Sequence, residues 1–369
     1  MKTIAFFNNK GGVGKTSLVF HLSWMLADKG LQVLALDLDP QANLTSMFLG
    51  EARTHELSDM KKGGHSATVY GALAPLLEGT GDINPPHVEE VTERINLIPG
   101  DLALSLSEDE LNSQWPQCLN RNPRAYRVMT AFHRTVLKAG EHYSSDVALI
   151  DVGPNLGALN RAAMIAADYV VIPLAPDLFS LQGLTNLGRR LGEWRSDWAD
   201  RLERAPDSFT ALPCGQMKPL GYIVMKHSVR LDRPVKAYEY WMRHIPNVYR
   251  ESMKAPPASG SIEVGNDDLC LAMLKDYRSL MPLAQRLRKP MFHLQSKDGV
   301  FGSNASGVQE VKNDFERLAQ KLVLKADIVL SKKGLKQPQT PESGCVGEAG
   351  LITARPALVR RAGLVGNTR

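Results

Sequence analysis

The chain has 369 residues, 43% of them hydrophobic and 22% charged, a soluble globular composition long enough for one large α/β domain or two medium ones. Its formal charge of +5 is carried by the last stretch: from Ser331 onward Lys332, Lys333, Lys336, Arg355, Arg360, Arg361 and Arg369 face only Glu342 and Glu348. Residues 1–330 are therefore formally neutral, so global basicity gives no argument that the folded body binds nucleic acid.

Ile4 to Phe7 is an apolar run that reads as a strand, and Asn8-Asn9-Lys10-Gly11-Gly12-Val13-Gly14-Lys15-Thr16-Ser17 follows it. A phosphate chain needs several backbone N–H groups pointing inward, and glycine lets the backbone approach at the required dihedrals. Gly11, Gly12 and Gly14 offer that freedom, Lys15 would reach the β- and γ-phosphates, and the Thr16 hydroxyl would ligate Mg²⁺. Strand, glycine loop and helix together read as a P-loop. Leu18 to Lys29 places Leu18, Leu22, Met25 and Leu26 on one helical face and is closed by Gly30. Gln32 to Leu38 is then a continuous apolar strand, buried on both faces, ending in Asp37-Leu38-Asp39-Pro40-Gln41-Ala42-Asn43-Leu44-Thr45 at the ligand edge.

Residues from about 50 to 145 carry no catalytic motif and read as an elaboration of the domain. Arg53 to Ser66 is expected as a loop, Thr68 to Leu77 as a helix, Ile95 to Ile98 as a strand, and Ser107 to Gln114 and Ala125 to Ala139 as helices. Asp146 to Asp151 is a strand ending in a carboxylate that would hold Mg²⁺, and after it the Gly153 backbone can sense a γ-phosphate. A small-residue helix from Ala158 to Ala167 and a strand from Tyr169 to Leu174 follow. Leu220 to Met225 and Pro290 to Leu294 read as strands, and Val235 to His244, Leu269 to Leu287 and Val308 to Leu324 as helices. Seven strands alternating mostly with helices predict an α/β fold with a single doubly wound, mostly parallel sheet over residues 1–330. Residues 331–369 read as a basic, disordered tail.

Three stretches carry a family resemblance. The glycine loop has Lys10 where the usual P-loop has its first glycine, Asp37 to Asn43 reads D-x-D-P-Q-x-N, and Asp151 to Pro154 reads D-x-x-P. The chain thereby resembles the ParA/MinD family of deviant Walker ATPases, and most of all the ParA-type partition proteins, over residues 1 to about 325. The resemblance implies ATP and Mg²⁺ as cofactors, Lys10, Lys15 and Asp39 as catalytic residues, and Mg²⁺ on Thr16, Asp37 and Asp151. Lys10 to Ser17 (including Val13), Gly153 and Pro176 would bind nucleotide, Pro176 in a loop that in the family lies beside the base. It also implies an ATP-dependent homodimer, a ParB-like activating partner, non-specific DNA binding and a cytoplasmic, nucleoid-associated protein. Lys226, Arg230, Arg233, Lys236 and Arg243 cluster within eighteen positions in a region resembling the DNA-contacting one.

Two other classes share the superfamily. A cluster-bridging reductase would need cysteines placed across a dimer, whereas Cys118, Cys214, Cys270 and Cys345 are far apart, without C-x-x-C spacing, and read as reduced thiols. An ATP-dependent ligase or synthetase is the alternative function, but no motif marks a second substrate pocket. The start has too short an apolar core for a signal peptide, no apolar run approaches a membrane span, and Pro356 and Gly363 leave the terminal segment too short for a membrane-docking helix.

Overall fold

The computed structural model describes residues 1–329 apart from 58–63, 210, 228–235, 258–259, 261, 278 and 302. The strands are β1 (Lys2–Phe6), β2 (Val33–Leu38), β3 (Glu89–Thr92), β4 (Ile95–Ile98), β5 (Val147–Val152), β6 (Tyr169–Leu174), β7 (Lys218–His227) and β8 (Cys270–Lys275). They form one eight-stranded sheet in the order β3-β4-β2-β5-β1-β6-β7-β8. Only β3 runs antiparallel to its neighbour, with a register shift between Glu90 and Thr92. The other neighbouring pairs are parallel.

The helices are α1 (Lys15–Asp28), α2 (Asn43–Leu49), α3 (Glu51–Leu57), α4 (Val69–Leu77), α5 (Ser107–Gln117), α6 (Pro123–Met129), α7 (Ala131–His142), α8 (Ala158–Ile165), α9 (Leu178–Leu202), α10 (Lys236–Met253), α11 (Leu280–Leu287) and α12 (Ser303–Lys325). Strand alternation sorts them into two layers, because successive side chains leave opposite faces of a strand. Ile4, Phe6, Val33, Ala35, Val147 and Leu149 point to a core shared with α1, α2, α11 and α12. Ala5, Phe7, Leu34, Leu36, Ala148 and Ile150 point to the opposite core, shared with the helices α4 to α10. β2 and β5 are buried at every position, which is why they read as unbroken apolar runs. Among the described residues no helix is long and apolar enough to cross a membrane.

Several expected elements differ. Pro290 to Leu294 is not a strand: Met291–His293 is a 3₁₀ turn whose Met291 and Phe292 plug the α1 core. The last strand is instead Cys270–Lys275, paired parallel to β7 at Tyr222↔Cys270, inside what reads as a helix by sequence. Its residues Leu, Ala, Met, Leu and Lys are helix formers, and tertiary pairing overrides them. The segment expected as a loop from Arg53 begins inside α3, and the helix expected over Ala125 to Ala139 is two helices meeting at Thr130. Cys118 and Cys270 are free and buried. The tail 331–369 lies outside the described residues.

Candidate functional site

The carboxyl ends of the parallel strands converge on the loop between β1 and α1. β1 lies between β5 and β6 rather than beside β2, so a crevice opens at its end. The loop crosses that crevice with Gly12 at φ 70° and Gly14 at φ 94°, left-handed conformations that side chains resist. A β-carbon on Gly14 would also lie 3.0 Å from Met225 Cε. Gly11 is different: its φ is not positive and nothing lies within 4 Å of a β-carbon built there, so its expected conformational role is not needed here. Gly14 caps α1 without a side chain, which leaves first-turn N–H groups and the helix dipole available to an anion.

Lys15 opens α1 and is only 7% exposed. Burial holds its pKa below the usual lysine value, while the Asp151 and Asp39 carboxylates pull it up. Parallel pairing of β2 with β5 sets Asp37 directly beside Asp151, both fully buried. Asp37 Oδ2 accepts from the Thr45 N–H and hydroxyl, each at 2.8 Å, and the Thr45 hydroxyl accepts from the Gly100 N–H at 2.8 Å. Burial still raises the Asp37 pKa to about 7, against those hydrogen bonds. Asp151 is raised well above the usual carboxylate range by burial and then by Asp37, with the Thr16 hydroxyl and Lys15 opposing. Apart from the approach of the Thr16 hydroxyl, which falls short of good hydrogen-bond geometry, neither Asp151 oxygen has a partner among the described residues.

Leaving a buried carboxylate unpartnered is costly, and a cation would relieve it. The donor set around Asp151 is hard oxygen: a second carboxylate on Asp37 and the half-buried Thr16 hydroxyl. That suits Mg²⁺, which takes one or two protein carboxylates and shares the rest of its shell with water and phosphate. Asp39, 9% exposed, follows on the same strand end; its Oδ1 accepts from the Gln41 N–H at 3.0 Å. A β-carbon on Gly153 would lie 3.4 Å from that same oxygen, so the loop after β5 runs close beside the loop after β2.

Beyond the glycine loop runs a cleft of about 970 Å³, with Gly11, Gly12, Lys15, Thr16 and Asp39 at one end. Met225, Leu274, Tyr277 and Met281 form an apolar wall along it, which the sequence alone does not single out. Ser17 reaches that wall, its hydroxyl 3.2 Å from Met281 Sδ, whereas Val13 is packed inside. Gly153 and Pro176 do not line the cleft. Pro176 instead precedes Asp177, whose Oδ2 holds the Lys10 ammonium at 2.6 Å. Asp177 also accepts from the Ser180 N–H at 2.8 Å and so caps α9. Burial would raise the Asp177 pKa, but the bonds from Lys10 and Ser180 bring it below the usual carboxylate value.

Of the five basic candidates, Arg230 and Arg233 lie outside the described residues. Lys226 lies in β7 and Lys236 opens α10. The Arg243 side chain is 78% exposed on α10, 3.9 Å from Glu239.

Comparison with known proteins agrees with this geometry. A family described as an AAA domain matches residues 1–203, more than half of the chain. The chromosome partitioning protein ParA of Caulobacter vibrioides is 34% identical over 206 residues, 55% of this chain and 67% of that protein. The chain belongs to the ParA/MinD family of P-loop ATPases. An uncharacterised protein of Methanocaldococcus jannaschii is 29% identical over 252 residues, 67% of this chain and 82% of the relative. The ParA-like fold is also that of a solved protein of Corynebacterium diphtheriae, at a TM-score of 0.63 and 24% identity, covering 88% of this chain and 99% of that one.

Proposed function

We propose that this ParA-family protein is a Mg²⁺-dependent ATP switch: ATP closes a two-fold dimer, the dimer binds DNA without sequence preference, and a ParB-like partner stimulates slow hydrolysis in the service of partition or positioning. The observation that carries the nucleotide reading is the unpartnered, fully buried Asp151 carboxylate beside Asp37, next to Lys15 and the open N-terminus of α1. Lys15, the loop backbone and α1 hold phosphate, while Thr16, Asp37 and Asp151 hold the metal. Bound there, Mg²⁺ would neutralise charge on the phosphates. Asp39 orients the attacking water, and the Gly153 backbone meets the terminal phosphate beside it. The apolar wall at Met225 and Met281 suits a flat base.

Lys10 supplies the dimer. It sits at the loop entrance, paired with Asp177 across a partly solvated gap, and a second triphosphate brought by a symmetric copy would outbid a single carboxylate for it. DNA binding rests on Lys226, Arg230, Arg233, Lys236 and Arg243, doubled on one face by dimerisation. The Caulobacter relative, named for chromosome partitioning, supports this setting.

The test is anisotropy on random-sequence duplex with full-length protein, no nucleotide, ADP or ATP, at low and high salt. Binding should require ATP, fall steeply with salt, and disappear in Arg230→Glu/Arg233→Glu. Binding that ignores nucleotide and vanishes on deleting residues 332–369 would assign DNA to the tail and overturn the switch.

A further inference from the structure

The helix α8 that follows the Gly153 loop has an N-terminus built from two distant parts of the chain. Its N-cap is Gly157, which offers no side chain to the first-turn donors. Glu108, from the first turn of α5, does so instead: its carboxylate accepts from the N–H groups of both Ala158 and Leu159, the latter at 2.9 Å. A β-carbon on Gly157 would collide with that carboxylate, so the glycine leaves the space Glu108 occupies. Gly157 φ −80° and ψ −171° are open to any residue, so backbone conformation does not demand glycine there.

The same loop is held from beneath. Asn160, fully buried on α8, donates from Nδ2 to the carbonyls of Gly153 and Asn155, both at 2.7 Å. The loop from Gly153 to Gly157 therefore lies beside Asp39 at one end, is held by Asn160 along its length, and meets the Glu108 tie at the other end. The helix bearing Glu108 is itself anchored. Trp115, two turns along α5, packs its ring against the guanidinium groups of both Arg161 on α8 and Arg201 on α9, at 4.3 and 3.7 Å from its ring centre. It also stacks on Trp198 at 6.1 Å. Such an anchor restricts α5 to one position, and a carboxylate near a helix N-terminus adds electrostatic as well as hydrogen-bond attraction.

We propose that Glu108 is a positioning residue for the phosphate-sensing loop: by tying α8 to α5 it holds Gly153 beside Asp39, and so sets how well the protein distinguishes a nucleoside triphosphate from a diphosphate and how fast it hydrolyses the former. This rests on the nucleotide reading above. It also gives the elaborated region a task at the site, since anything that moves α5 moves the loop.

Three proteins test it: the full-length chain, Glu108→Gln, and Glu108→Ala/Gly157→Ser. The double variant removes the tie and gives α8 a local serine cap in the space vacated. Melting temperature, dissociation constants for ADP and for a non-hydrolysable ATP analogue, and kcat are measured on each. Glu108→Gln should bind ADP within about twofold of the parent, yet lose about five- to tenfold in the ATP-analogue to ADP preference and in kcat, the effect of one lost charged cap. The double variant should regain the parental melting temperature without regaining kcat or the preference. If it regains all three, Glu108 is only a helix cap and the proposal fails; unchanged kcat and preference in Glu108→Gln overturn it as well. A parent chain that binds neither nucleotide would instead remove the function on which the inference stands.

Discussion

Asp177→Asn should tighten ATP-dependent self-association. The structure holds Lys10 in an intrachain pair with Asp177, each side chain 35% exposed, so the pair is partly solvated and worth ~0.2–1 kcal/mol. A two-fold dimer must break two such pairs if both lysines are to reach the opposite nucleotides, a cost of ~0.4–2 kcal/mol per dimer. Removing the carboxylate removes that cost, so the dimer dissociation constant should fall by about two- to thirtyfold. Asparagine can still accept from the Ser180 N–H and cap α9, so the melting temperature should stay within about 2 °C of the parent, whereas Asp177→Ala should lose a further ~1 kcal/mol of stability. Sedimentation equilibrium in the Asp39→Ala background, with ATP and at two ionic strengths, measures this, and the gain should shrink with salt as screening weakens the parental pair. An unchanged or weaker dimer in Asp177→Asn, at unchanged melting temperature, would show that Lys10 is not restrained by this contact.

Asp39→Ala should keep ATP affinity within about tenfold but abolish turnover, because positioning of the nucleophile is lost while the phosphate contacts remain; steady-state turnover near the parental rate would remove Asp39 from the mechanism. Gly100→Ala should weaken Mg²⁺-dependent ATP binding by about tenfold, since its β-carbon would lie 2.8 Å from Asp37 Cγ; equal affinity with metal would sink this. His21 predicts an acid limb in stability. It is fully buried, burial lowers its pKa from 6.5 to about 4, and the Ser17 carbonyl only partly opposes this. The unfolded chain then takes up the proton first, so stability is fully present above pH 6.5 and is lost as pH falls towards 4, by at most ~3 kcal/mol. In urea titrations across that range His21→Phe should lack this limb, and identical slopes for the two proteins would reject it.

How far the sequence could be read depends on whether a residue's partner is near it along the chain. The glycine loop, the acidic end of β2 and the end of β5 are each continuous runs with a strand before them, and the structure brings them together. Asp37 and Asp151 stand 114 positions apart, yet both could be singled out because each ends an apolar strand. Glu108 gives no such signal: it resembles any acid in the first turn of a helix, and only the packing of α5 on α8 gives it a partner. The apolar wall of the cleft is hidden for a related reason, since Leu274 sits in β8, whose side chains favour helix in isolation. Pro290 to Leu294 misled in the opposite sense, because a short apolar run shows neither period clearly. The Lys10–Asp177 pair lay between two recognised segments, but a contact between loops after β1 and β6 follows from strand order, which the sequence does not state.

The two ends of the sheet limit how copies of this chain can join. At the β3 edge the outer strand is four residues long, carries Glu89 and Glu90, and is kinked where its register shifts; Arg53 and His87 both bond Glu89 there. At the β8 edge Lys321 donates to the Cys270 carbonyl at 3.0 Å, and Lys275 is paired with Glu310. Short, charged, kinked or lysine-covered strands make poor templates for backbone pairing with another molecule. If the proposed DNA binding gathers many copies onto one polymer, local concentrations would rise to those at which open strand edges polymerise into fibres. Here both borders of the sheet are blunted against that, and the proposed dimer would use the loops at the strand tips instead, where a nucleotide could make contact reversible.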